Sequence, residues 1–88
     1  MKFEIVKSYL EASSFKDINL DESKQRFVFN DGKQSSELIF TREFLDDIRI
    51  DRLKAQIETK IIPTLKANTG KRISVSDGGI FVSEKDSN

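Results

Sequence analysis

Carboxylates stand side by side at Asp21-Glu22 and at Asp46-Asp47, and paired acids can run hydrolytic or metal-assisted reactions when their surroundings drive the two pKa values apart. Such chemistry needs the pair to converge. Neighbouring residues on a helix point about 100° apart, so Asp46 and Asp47, on a predicted helix, cannot face one ion together. They read as solvated or capping groups. The Asn30-Asp31-Gly32 and Ser76-Asp77-Gly78-Gly79 segments have the oxygens and glycines of calcium or phosphate loops. Neither has the spacing of an EF-hand or a P-loop, and Asp-Gly is what a tight hairpin turn requires.

The chain contains no histidine and no cysteine, the side chains that most often supply acid–base, nucleophilic and transition-metal chemistry near neutral pH. An enzyme would be left with Tyr9, lysines or carboxylates as proton carriers. We therefore expect a protein that is not an enzyme and that uses no metal or other cofactor.

Charge offers a different kind of candidate. The formal net charge is zero, yet residues 49–72 hold seven cations against Asp51 and Glu58 alone, a net of +5, and the remainder balances it at −5. On a helix, Arg49, Arg52, Gln56, Thr59, Lys60 and Lys66 project away from the apolar positions and leave a cationic face. A face of this kind can meet an acidic protein surface or follow phosphates. Four phosphate contacts, from Arg49, Arg52, Lys60 and Lys66, would give a log–log salt slope of about −3.6 on duplex DNA. A neutral chain with a pI near 6.3 is unlike dedicated nucleic-acid domains, which are basic overall.

The elements that must position these groups are legible from periodicity. With 88 residues, 36% of them hydrophobic and 34% charged, the chain has material for one globular domain and one core. Arg26-Phe27-Val28-Phe29 and Glu37-Leu38-Ile39-Phe40 flank Asp31-Gly32, a hairpin signal. With those two as turn residues, Arg26 falls opposite Glu37, while Phe27, Phe29, Leu38 and Phe40 gather on the buried face. A second hairpin is expected at Asp77-Gly78, setting Val75 against Ile80 and Ile73 against Val82. Phe81 then lies beside Ser74 on the outer face, where an exposed ring calls for a cover or a partner.

Between the hairpins we expect a short helix over residues 41–48, capped by Thr41, and a longer one from residue 51 or 52 to about residue 67. Ile50, Leu53, Ile57, Ile61 and Leu65 form its apolar stripe. Pro63 inside that pattern predicts a kink near Lys60, and Asn68-Thr69-Gly70 supplies the stop. Residues 2–13 fit both an alternating and a helical pattern, and their β-branched and aromatic content favours a strand. A short extended piece at residues 18–20 precedes a turn at Asp21-Glu22-Ser23-Lys24, and residues 85–88 read as a frayed tail. The fold class expected is α+β and two-layer. An antiparallel β-sheet built from hairpins carries one long, Pro-kinked helix and one short helix on one face.

The run Leu20-Asp21-Glu22-Ser23-Lys24-Gln25-Arg26-Phe27-Val28-Phe29, followed by Asp31-Gly32-Lys33 and Thr41-Arg42-Glu43-Phe44-Leu45, resembles a family of small bacterial proteins grouped as a domain of unknown function. The resemblance spans residues 15–82 and includes no catalytic signature. It implies two strands, helices and a closing strand, with a dimer as one form, and brings no activity. Residues 1–14 and the second hairpin depart from the family pattern.

The reading that follows is a small non-enzymatic binding or regulatory protein that acts by protein–protein contact, with a homodimer as one form of that contact. A nucleic-acid adaptor is the alternative. The candidate contact residues are Arg49, Arg52, Lys60, Lys66 and Phe81. Charges interrupt every apolar run near the start of the chain, so no membrane segment is expected and the protein reads as soluble and cytoplasmic.

Overall fold

Phe27, Phe29, Leu38 and Phe40 share one face of two neighbouring strands and are all but inaccessible to solvent, and buried residues of the helices join them in one core. A computed structural model of the chain describes residues 2–84; the tail expected at residues 85–88 lies outside the described residues. Helix α1 (Lys2–Ala12) leads into strands β1 (Lys16–Asp21), β2 (Arg26–Asp31) and β3 (Gln34–Phe40). Helix α2 (Arg42–Asp47) follows, then α3 (Ile50–Gln56), a π-helical turn (Ile57–Ile61) and α4 (Ile62–Ala67), and finally β4 (Lys71–Ser76) and β5 (Gly79–Glu84). The five strands form one sheet in chain order.

The class is α+β as expected, but the sheet is mixed and not antiparallel throughout: β3 and β4 run parallel. Parallel neighbours need a long crossover, and the helical stretch from α2 to α4 provides it. The helix stripe returns the chain to the starting end of β3 before β4 begins. Each hairpin on its own is antiparallel; their relative direction is set by the element between them.

The first hairpin turns on Gly32-Lys33, with Asp31 paired to Gln34 and Arg26 to Ile39, and not on Asp31-Gly32 with Arg26 opposite Glu37. Gly32 takes φ 70° as the first loop residue, the place where a primed turn asks for glycine. The register has moved by two residues, and because side chains alternate with period two, every ring stays on its expected face. The second hairpin has the expected pairing, with Val75 opposite Ile80 and Ile73 opposite Val82.

The segment expected as a strand, residues 2–13, is instead helical over Lys2–Ala12. Val6 and Leu10 are fully buried and Phe3 packs against the core, which is the helical stripe. A strand would have turned Val6 and Leu10 away from Phe3, Ile5 and Tyr9, so burial outweighs β-propensity here. Tyr9 Oη donates to Glu58 Oε1 at 2.7 Å, and Lys2 Nζ donates to the Leu45 carbonyl, fastening α1 to the helical crossover at two points.

Thr41 caps α2 as expected, its Oγ1 accepting from Phe44 N at 3.3 Å. Where the sequence suggested a kink at Lys60, the helix holds a π turn, marked by Ile62 N–H donating to the Ile57 carbonyl. Two local facts favour it. Pro63 offers no N–H and its ring conflicts with the carbonyl four residues back in an α-helix. Moreover, Leu53, Ile57, Ile61 and Leu65 recur every four residues, and each such step overshoots an α-turn by about 40°. The additional residue in the π turn takes back about 100° of that drift, and all four side chains reach the core at 1% exposure or less.

Six of the seven phenylalanines belong to that core. Phe15 stacks at a tilt on Phe29 with centroids 4.8 Å apart, and Phe3, Phe27, Phe40 and Phe44 form a chain of contacts at 6.2, 6.4 and 5.8 Å. Those spacings are typical of attractive ring pairs. Phe81, at 56% exposure, is the exception.

Candidate interaction surfaces

An open groove of about 860 Å³ runs between the helical crossover and the β4–β5 turn. Phe44, Ile48, Pro63, Val75 and Ile80 supply its apolar lining, and Arg49, Arg52 and Lys60 its cations. Positions 49, 52, 56, 60 and 63 succeed one another by three or four residues, so they share the helix side next to the buried stripe. The groove is therefore written into helix periodicity on one wall and into hairpin position on the other.

Three of the five residues singled out from the sequence, Arg49, Arg52 and Lys60, are thus brought together. Lys66 and Phe81 are not part of the groove: Lys66 is exposed further along α4, and Phe81 lies on the sheet face opposite the core. The cationic face is also less pure than its sequence implies. Asp47 and Asp77 line the same groove, and Arg49 Nε sits 3.4 Å from Asp51 Oδ1 with both side chains largely exposed. Such a solvated pair is worth little. Asp47 and Asp77 come from separate elements, and nothing in the sequence signals their approach.

On the face away from the core, the strand registers align Asp21, Arg26, Ile39, Ser74 and Phe81 in one row and Asn19, Val28, Glu37, Arg72 and Ser83 in the next. The Ser23 hydroxyl, donating to Asp21 Oδ1 at 2.7 Å, is the first cause holding the Asp21 carboxyl below its ordinary range, with the Lys24 backbone N–H and the charges of Lys24 and Arg26 acting the same way against desolvation. Within this face the Glu37–Arg72 pair is the charged contact with the least solvent.

The two edges of the sheet differ in kind. Along β1 the pairing shifts between Lys16 and Asn19, Asp17 takes φ 54°, and three of the six residues are charged. Strand β5 pairs with β4 without interruption, carries Ile80-Phe81-Val82 in succession, and has Glu84 as its one charge. Val82, expected to join the core with Ile73 and Val75, is 44% exposed, and Ile50 of the helix stripe is 37% exposed. Val82 lies on an edge strand and Ile50 opens α3, positions whose cover periodicity alone does not reveal.

The groups considered for chemistry are spread apart. Tyr9 lies outside the groove, and its hydrogen bond to Glu58, aided by desolvation and by the Glu58 charge, raises its hydroxyl pKa above the ordinary value, away from that of a base useful at neutral pH. Both Asp-Gly pairs sit at hairpin ends. Among the described residues, no group of three or more acidic, His or Cys side chains is placed to hold a metal ion, and no helix is long and apolar enough to cross a membrane.

Comparison with protein-family models, with curated proteins and with solved structures finds no match. The resemblance to the bacterial family of unknown function rests on the residues quoted for it.

Proposed function

We propose that the protein is a small non-enzymatic binding protein of the cytoplasm that acts by contact with another protein or with itself. The observation that carries this reading is the position of Phe81. Six rings are gathered into one core, and the seventh stands 56% exposed on the opposite sheet face; the next residue along the strand, Val82, turned to the core side, is itself 44% exposed. Aromatic residues in such positions are favoured anchors of protein interfaces. The groove with Arg49, Arg52 and Lys60 adds a second surface, suited to an acidic segment that also buries apolar side chains against Ile48 and Ile80.

The test is affinity capture from native extract with the wild type, with Phe81→Ser, and with Arg52→Glu combined with Lys60→Glu. A protein retained in stoichiometric amount by the wild type and lost with either variant is the expected result. Retention of nothing by a chain that is also monomeric in solution, or equal retention by all three forms, would remove this reading.

A second reading has one observation in its favour: Arg49, Arg52 and Lys60 share a groove, as phosphate contacts would. With Lys66 elsewhere, three contacts predict a salt slope of about −2.7 on duplex DNA, while Asp47 and Asp77 in the same groove oppose it. Absence of binding at low salt eliminates the nucleic-acid alternative.

A further inference from the structure

We infer that β5 is a self-association edge, where a second copy of this chain adds its own β5 antiparallel and makes one continuous ten-stranded sheet. The inference rests on the protein-contact reading above and gives it a partner and a register.

Every second residue of an edge strand turns its backbone N–H and C=O away from the sheet, a template for another strand. Proteins blunt such edges with charges, bulges and irregular pairing. Strand β1 has all three, as described, and β5 has none along Gly79–Ser83. Its single charge, Glu84, is held by Lys71 of β4 at 3.0 Å, so two copies approach without facing like charges.

The residues of β5 also select one self-pairing. A two-fold axis normal to the sheet pairs side chains of the same face, so the axis must fall on a residue. Centred on Val82, it sets Ile80 against Glu84; centred on Ile80, it sets Phe81 against Gly79. Centred on Phe81, it sets ring against ring on the outer face and Ile80 against Val82 twice on the other. Every apolar side chain of the strand then meets an apolar one, and the two residues whose exposure stands out, Phe81 and Val82, are covered in one step. An edge contact of this kind lies at the small end of specific interfaces, so association depends on concentration.

The absence of native cysteine permits a direct test. In the proposed register Phe81→Cys faces itself across strands, with Cα atoms about 4.5–5.5 Å apart and within disulfide reach. Ser83→Cys faces Gly79 of the second copy, about 14 Å from its own equivalent. Under mild oxidation, Phe81→Cys is expected to give a covalent dimer and Ser83→Cys to remain monomeric. Sedimentation should show a concentration-dependent dimer for the wild type, lost in Phe81→Lys and in Phe81→Glu separately and restored when the two are mixed, since opposite charges then stand where like ones stood. Position 81 is exposed, and circular dichroism of each variant is to be compared with that of the wild type to check its folding.

A wild type monomeric at its highest soluble concentration would overturn the inference. So would a dimer whose Phe81→Cys and Ser83→Cys forms cross-link equally. A monomeric chain that still retains a foreign partner in the capture experiment overturns β5 pairing alone and leaves protein contact standing.

Discussion

Arg72 reaches Glu37 across the parallel seam between β4 and β3, Nε to Oε1 at 3.1 Å, and the two residues are direct partners in the strand register. Glu37 retains 8% exposure, and the Arg72 side chain retains 30%. The pair thus sits on the outer face at the junction of the two hairpins. This is the one place where strand direction is not set by a tight turn.

Removing one partner leaves a largely desolvated charge without its counterpart, which costs more than removing both. Arg72→Ala is expected to lower stability by about 2 kcal/mol. The double variant with Glu37→Ala should cost less than the two single variants combined. Urea denaturation of the four proteins measures the coupling, and strict additivity would show that the pair does not hold the seam.

Tyr9 is the only tyrosine and there is no tryptophan, so its ionisation can be followed alone by ultraviolet absorbance. Its hydroxyl donates to Glu58 at 2.7 Å, and that bond is the leading cause of a pKa above the ordinary value of about 10. The titration midpoint of the folded protein should exceed that of the unfolded chain, and Glu58→Ala should bring it back. The sign for stability follows from proton linkage: a raised folded pKa gives a contribution that is full below the unfolded pKa and is lost as pH climbs through the folded one. The docking of α1 should therefore weaken in alkali. A Glu58→Ala midpoint equal to that of the wild type would contradict this account.

Pro63 tests the origin of the π turn. In an uninterrupted α-helix a proline costs about 3 kcal/mol relative to alanine, but here it directly follows the Ile62-to-Ile57 bond, where the ladder has already opened. Pro63→Ala should change stability by about 1 kcal/mol or less, because the cost has been removed by the additional residue and the four-residue stripe still asks for the bulge. Denaturant midpoints decide it. A gain near the full α-helical value would mean that the proline strains a helix that has not adapted to it.

Much of this molecule could be read along the chain. Alternation placed Phe27, Phe29, Leu38 and Phe40 on one face, and turn chemistry paired Val75 with Ile80. Thr41 marked the start of α2, and four-residue recurrence marked Leu53 to Leu65 as a buried stripe. These features depend on neighbours within a turn or a pleat, and a two-residue slip in the first hairpin left them intact because it preserves the face of every side chain.

What only tertiary structure decided is what lies across from what. Residues 2–13 satisfy two periodicities, and the place for Val6 and Leu10 against the core selects the helix. The parallel seam exists because the helical crossover returns the chain to the start of β3, a property of the path and not of either hairpin. The gathering of Arg49, Arg52 and Lys60 with Asp47 and Asp77, the separation of Lys66 and Phe81 from them, and the exposure of Val82 all depend on how the elements are placed against one another. Periodicity states which way a side chain points; only the packed chain determines whether anything stands there to meet it.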